Sequence, residues 1–263
     1  MKEIEANKKA WGLLSEDHYH NFRKLLSQEK SLLNNIITTE LGDIQGKSII
    51  HLQCNTGADT ISLARLGATV TGVDLVPENI EYARKLAEEF GVSTVRFIES
   101  DIMELAEKHG ERYDIVFTSE GVIGWLPDLD KWGATIKHLL KDDGFFYIND
   151  SHPYFMTMDE EKLKENQVSI KYPYFNKTPD VSTIIGGYAS EPKEGENYFW
   201  MYTMSDIINS LAKAGLAIDF FHEFDTLCWN NGGMEEVERG VYQYPFFKGK
   251  FPFQFSLKAT VRL

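Results

Sequence analysis

From Lys47 onward the sequence alternates between two periodicities, and that alternation limits the fold more than any other feature. Short apolar runs at Ser48–Leu52, Thr69–Val73, Val95–Ile98, Tyr113–Thr118 and Phe145–Ile148 are the length of single buried strands. Between them lie segments with helical spacing. Ala58–Leu66 carries Ile61, Ala64 and Leu66, with Gly67 as its stop. Pro77 sits at a first helical position, Ile80, Ala83, Ala87 and Phe90 mark one face, and Gly91 ends the segment. Leu129–Leu140 is a further helix. Strands alternating with helices predict a parallel sheet covered on both faces.

The rhythm changes at two places. Residues 1–41 read as helices with Trp11, Tyr19 and Phe22 set among charges. Residues 151–203 are rich in Tyr, Phe, Pro and Gly and read as an insertion with short strands over the mouth of the sheet. A helix over Ser205–Ala214, a strand over Leu216–Phe224 and a last strand over Phe255–Leu263 follow. The predicted organisation is an N-terminal helical lid (1–45), a cofactor-binding core (46–150), an insertion that caps the acceptor site (151–204) and a C-terminal part completing the sheet (205–263).

Composition narrows the partners. A net charge of −13 argues against a nucleic-acid backbone or an anionic membrane as the main partner. Two cysteines cannot form a disulfide scaffold, and "MKEIEANKKAW" has no apolar stretch of a secretory signal. No run approaches the ~18 apolar residues of a spanning helix. A reducing cytoplasm and no membrane are the expectation. The oligomeric state is left open, a homodimer included.

In an open α/β sheet, ligands bind beyond the carboxyl ends of the strands, so "HLQCNTGADT" after the first strand is the first candidate site. It lacks the G-x-G-x-x-G of dinucleotide-binding loops and offers Gln53, Asn55 and Gly57 at alternate positions. Asn accepts a left-handed backbone, so Asn55 can support the turn while Gly57 leaves room for a ligand. The helix from Ala58 points free amides at the same spot.

Ser48 to Asp74 resembles the first motif region of class I S-adenosylmethionine-dependent methyltransferases. The family pattern, acidic-x-Gly-x-Gly-x-Gly and then an acidic residue ending strand two, falls on His51, Gln53, Asn55 and Gly57 and on "ATVTGVD" ending at Asp74. The first acidic residue and two of the three glycines are replaced. The resemblance implies a Rossmann-like doubly wound sheet of seven strands, antiparallel at the last, plus a small β-rich insertion. It implies S-adenosyl-L-methionine as cofactor and methyl transfer to a small-molecule acceptor by in-line displacement.

Site residues follow from that resemblance. Asp74 would accept hydrogen bonds from the ribose hydroxyls, with Leu75 beside the adenine. Asp101 would bond the adenine amino group near the Ile102 backbone, although Asp is also a favoured helix cap. Ser119 and Glu120, at the end of "YDIVFTSEG", would lie under the methyl donor. This segment is not the Asn-Pro-Pro-Tyr type of nucleobase-modifying enzymes.

A base is optional in such a reaction. His152, just beyond strand five, is one candidate, with a loop-stabilising histidine as the alternative; Glu120 is the other. The lid is expected to place Trp11 or Tyr19 against the cofactor. Tyr172, Tyr174, Phe175, Tyr188, Tyr198, Phe199 and Trp200 can line a pocket or form the insertion's own core. His18 and His20 point apart on a helix, so no metal is expected. Cys54 reads as a packing residue, and "KEGEN" and "EEVER" as solvated charge. Two other readings stay open: a methyltransferase-like binding protein without chemistry, and a nicotinamide-dependent oxidoreductase, which the missing G-x-G-x-x-G disfavours.

Overall fold

The protein is described by a computed structural model covering residues 2–187 and 189–262. Tyr188 and Leu263, both part of the expectations above, lie outside the described residues. Three helices open the chain: α1 (Lys2–Gly12), α2 (Ser15–Gln28) and α3 (Asn35–Leu41). The alternating part then runs β1 (Ser48–Leu52), α4 (Ala58–Arg65), β2 (Thr69–Asp74), α5 (Pro77–Glu89), β3 (Val95–Glu99), α6 (Ile102–Lys108), β4 (Tyr113–Thr118), α7 (Leu129–Leu139) and β5 (Leu140–Ser151). Short α8 (Glu160–Lys164) and the hairpin β6 (Asp180–Gly187) and β7 (Ser190–Phe199) precede α9 (Met204–Lys213) and β8 (Leu216–Phe224). The small hairpin β9 (Glu235–Glu238) and β10 (Val241–Gln243) leads to β11 (Gln254–Val261).

Seven strands form one sheet in the order β3-β2-β1-β4-β5-β11-β8. The first five are parallel, and β11 runs antiparallel between β5 and β8. This is the mixed Rossmann-like sheet implied by the sequence. β1 and β4 are buried at nearly every position because helices cover both faces. Trp132, Ile136 and Leu139 of α7 pack on one face with Leu211 of α9. On the other, Leu63 of α4 and Ile37 of α3 meet Ile49, Ile115 and Phe117.

The order reverses between β1 and β4, so the crevice at their carboxyl ends is the topological switch point where ligands bind in such sheets. Two structures stand over it. The β6–β7 hairpin packs against α1, where Asn7 donates to the Tyr198 carbonyl (2.8 Å) and accepts from its amide (2.7 Å). This side chain imitates one more strand residue on the hairpin edge. Opposite, residues after β5 and after β8 share a small separate core of Phe155, Met158, Leu163, Leu227, Tyr244, Phe247 and Phe253.

Three expectations need correction. "KEGEN" lies within β7, with Lys193 reaching Asp17 and the Leu13 carbonyl and Asn197 buried, rather than being solvated charge. β5 is three times the expected length, since "KDDG" reads as a turn but is absorbed by a register shift opposite β4. "EEVER" contributes the fully exposed strand β9, so it is solvated and also paired with β10.

The hairpin is seated by a close approach. A Cβ on Gly124 would lie 2.0 Å from the Phe199 ring, and the Trp200 amide donates to the Gly124 carbonyl at 2.7 Å. Gly124→Ala is expected to destabilise the protein by about 1–3 kcal/mol through overpacking. The loss should be smaller when Phe199→Ala is already present, measured as a double-mutant cycle in urea unfolding.

Candidate active site

The loop from β1 to α4 is built on left-handed backbone. Gln53 (φ 56°), Asn55 (φ 50°) and Gly57 (φ 80°) alternate through it, at the positions where the resembled pattern has three glycines. Asn tolerates this region, and Gln rarely enters it, so Gln53 stores some strain. Its side chain is anchored, with Nε2 donating to the Val122 carbonyl at 3.0 Å. Its Oε1 is buried and has no partner among the described residues. Gly57 does not leave room for a ligand as expected: it is not on the cavity wall, and its missing side chain makes space for Phe97, 2.9 Å from where a Cβ would sit.

Asp74 ends β2 with its carboxyl 7% exposed at the wall of the crevice. Oδ2 accepts from the Asn55 amide at 2.8 Å. Oδ1 accepts from the Val76 amide at 2.9 Å and Asn79 Nδ2 at 3.1 Å. Burial pushes this carboxyl above its ordinary range, and those hydrogen bonds pull it back. With the Leu75 amide a weaker fourth donor, these three bonds leave at most about one of the carboxylate's roughly four acceptor sites open. Leu75 follows on the wall.

Asp101 caps α6, accepting from the Met103 amide at 2.8 Å, and also lines the crevice beside Ile102. Both roles weighed for it therefore fall on one side chain. His51, in place of the pattern's first acidic residue, is buried between Thr60 Oγ1 (2.9 Å) and Ser119 Oγ (3.2 Å). Burial lowers it to about 3, so it is neutral at physiological pH.

Beyond β4 the crevice continues as one cavity of about 850 Å³. Glu120 stands in its wall, accepting from Asn34 Nδ2 at 3.1 Å and facing the Cys228 thiol. Removal from water, with Asp59 and Asp150 nearby, raises its carboxyl to about 8. Asp150 is held differently. It accepts from the amides of Gly121 (2.6 Å), Val122, Ile123 (both 3.3 Å) and Ser151 (2.7 Å), which fixes the loop beneath the cavity. Burial raises it to about 6.

Two sequence candidates leave the site. His152 does not line the cavity. Its Nδ1 accepts from the Tyr154 amide (3.0 Å), its Nε2 pairs with Glu223 (3.0 Å), and its ring lies edge-on to Phe255. Pro153 turns the chain and leaves this histidine fastening the loop to β8. Tyr19 also packs away from the cavity, stacked on Tyr82 with its hydroxyl donating to Glu89. Of the two aromatic lid candidates, Trp11 reaches the cavity, edge-on to Trp125, which meets Phe199 in the same way.

Phe199 and Trp200 line the cavity, whereas Tyr172, Tyr174, Phe175 and Tyr198 do not. Sequence reasoning missed Asp59, Asp150, Asn34, Cys228 and Trp229. Asp150 had a signal, since it sits at the tip of a predicted strand. Cys228 and Trp229 had none, because they arrive from a segment between β8 and β11 with no clear periodicity.

The sequence profile of the methyltransferase domain family matches residues 44–205, more than half of the chain. Ubiquinone biosynthesis O-methyltransferase of Salmonella paratyphi A is 34% identical over 113 residues, 43% of this chain and 46% of that protein. The enzyme of that name from Actinobacillus pleuropneumoniae is 35% identical over 107 residues, 40% of this chain and 45% of that one. The chain thus spans about half the length of the curated relatives it matches. An S-adenosylmethionine-dependent methyltransferase from Clostridium acetobutylicum has the same fold, with TM-score 0.58 and 17% identity over 93% of this chain and 97% of that one. A methyltransferase structure from Methanosarcina mazei gives 0.59 and 17% over 88% and 99%. With the sheet order, the loop after β1 and the profile match in agreement, the chain belongs to the methyltransferase domain family.

Proposed function

We propose that the protein transfers a methyl group from S-adenosyl-L-methionine to a small-molecule acceptor. The observation that carries this reading is the convergence of the left-handed Gln53–Gly57 loop with Asp74 at one wall of the cavity. The residues present fit the cofactor. Asp74 keeps acceptor capacity for ribose hydroxyls, Leu75 and Ile102 offer apolar surface for the adenine, and Asp101 stands beside them. The orphaned Gln53 Oε1 is an acceptor left over for the ammonium of the methionine end.

When bound, the cofactor supplies a methyl on a cationic sulfur, which leaves as a neutral thioether. The chain's task is alignment, exclusion of water and removal of one proton. Trp11, Trp125 and Phe199 close the cavity from the lid side. Glu120 takes the acceptor's proton on a carboxylate oxygen, helped by the lack of a cationic partner among the described residues.

Asp59, Glu120 and Asp150 lie on the same wall, and Lys8 is the one lysine or arginine among the described lining residues. An acceptor with a carboxylate or phosphate near its reacting atom is therefore disfavoured, and a neutral or cationic one is favoured. The curated relatives carry the name O-methyltransferase, which makes hydroxyl acceptors the first to screen with labelled donor. The reading includes action in the cytoplasm. No helix among the described residues is long and apolar enough to cross a membrane.

Asp74→Ala is expected to weaken S-adenosylhomocysteine binding by about 10–100-fold, the range for losing hydrogen bonds to a charged group. Unchanged affinity in calorimetry would remove the site assignment. The pH profile tests Glu120. A base acts when ionised, so kcat/KM should rise with pH through about 8 and then level off. Glu120→Gln should lose that rise while still binding S-adenosylhomocysteine, and an unaltered rise would exclude Glu120 as the base.

Stability should move the opposite way. The folded chain keeps a proton that the unfolded chain releases near 4.5, so folding weakens as pH climbs from about 4.5 to about 8. Glu120→Gln removes that slope, and its melting temperature should exceed that of the parent at pH 8.5 more than at pH 5.5.

A further inference from the structure

Asp74 is held by more than its own loop. Each of its oxygens is tied, through one intermediate residue, to the lid helix α2. Ser15 Oγ donates to Asn79 Oδ1 at 2.6 Å, and Asn79 Nδ2 donates to Asp74 Oδ1 at 3.1 Å. His18 Nδ1 bonds Asn55 Oδ1 at 3.2 Å, and the Asn55 amide donates to Asp74 Oδ2 at 2.8 Å. Ser15 and His18 are one turn apart, so they share a face of α2. Both are 1% exposed, Asn79 is 2% exposed, and neither Ser15 nor His18 lines the cavity.

Polar groups placed in the interior cost stability unless their bonds are made, and these make theirs onto the two residues that orient one carboxylate. The Thr56 amide also donates to Asn55 Oδ1, at 2.6 Å, which leaves that side chain little freedom to rotate. The cap sets the position of α2 in turn. Lys193 of β7 reaches Asp17 and the Leu13 carbonyl, both at 2.7 Å, at the start of the helix.

We propose that Ser15 and His18 are positioning residues of the cofactor site: through Asn79 and Asn55 they hold both oxygens of Asp74 toward the ribose, so that helix α2 must be seated for the carboxylate to grip its ligand. The proposal rests on the methyltransferase reading above. It goes beyond it by making the ribose grip a property of the lid, formed by residues that touch no ligand.

The test is calorimetry with two probes, S-adenosylhomocysteine and its 2′,3′-dideoxy counterpart, which lacks the hydroxyls that Asp74 would hold. The double variant Ser15→Ala, His18→Ala is expected to lose about tenfold in affinity for the first probe and under about twofold for the second. In an Asp74→Ala background the same pair should cause no further loss, because the effect passes through that carboxylate. Equal losses for both probes, or losses that add to those of Asp74→Ala, would overturn the relay in favour of a purely structural role for α2.

If the double variant does not fold, as judged by thermal unfolding, Ser15→Ala alone and His18→Asn decide. The asparagine keeps a donor near the Nδ1 position and should retain affinity, while Ser15→Ala should still lose it selectively for the hydroxyl-bearing probe. Failure of His18→Asn to rescue, or a loss in Ser15→Ala shared by both probes, counts against the relay. A parent protein that binds S-adenosylhomocysteine at no accessible concentration overturns the methyltransferase reading itself and the relay with it. A parent that binds while every variant binds equally well overturns the relay alone.

Discussion

One buried carboxylate organises the mouth of this sheet. Asp74 receives hydrogen bonds from the loop after β1, from the start of α5 and from Asn79 within α5. One donor comes from the loop and two from the first turn of α5, so the carboxylate fixes where strand β2 ends relative to the loop and the helix. A charge this deep would be expensive alone, and the fixed donors are what make it tolerable. They also define which direction its remaining lone pairs face, which is the property a ligand needs.

The loop after β1 shows how a site keeps its shape when its usual residues are exchanged. The shape needs three left-handed residues in alternation, and only Gly57 is free of steric cost there. Asn55 offsets its cost by bonding His18 and the Thr56 amide, and Gln53 by bonding the Val122 carbonyl. Both side chains point into contacts that connect the loop to neighbouring segments. The substitutions exchange backbone freedom for cross-links, which stiffens the loop without closing the crevice beside it.

Much of this was legible in the sequence, for a physical reason. Strands buried on both faces must be largely apolar, as Ile49, Ile50 and Leu52 are around the hydrogen-bonded His51, and helices that cover a sheet must show one apolar face. Asp74 and Asp101 were readable because strand ends in such sheets are fixed by the same pattern. What could not be read came from segments without periodicity. Trp229 and Cys228 reach the cavity from a loop whose position depends on a small core shared with Phe155 and Leu163, about seventy residues earlier in the chain. Tyr19 and His152 lie off the crevice for a common reason: chain position does not say which way a side chain turns, and each turns toward a glutamate instead.

The contrast between His152 and Glu120 bears on what a base must be here. His152 is ordinary in its surroundings, since a carboxylate and a backbone amide occupy its two ring nitrogens and leave it no lone pair for a substrate. Glu120 has no cation paired with it among the described residues, and two further carboxylates stand close to it. An unpaired carboxyl in such a place binds its proton more tightly than in water, and this makes it a better acceptor for a proton from a weak acid. The same arrangement would be a defect in a core that existed only for stability, where replacing the acid by an amide or an apolar group would relieve it. On the wall of the cavity, just past the end of a central strand, that cost is consistent with the proposed role of taking a proton from the acceptor.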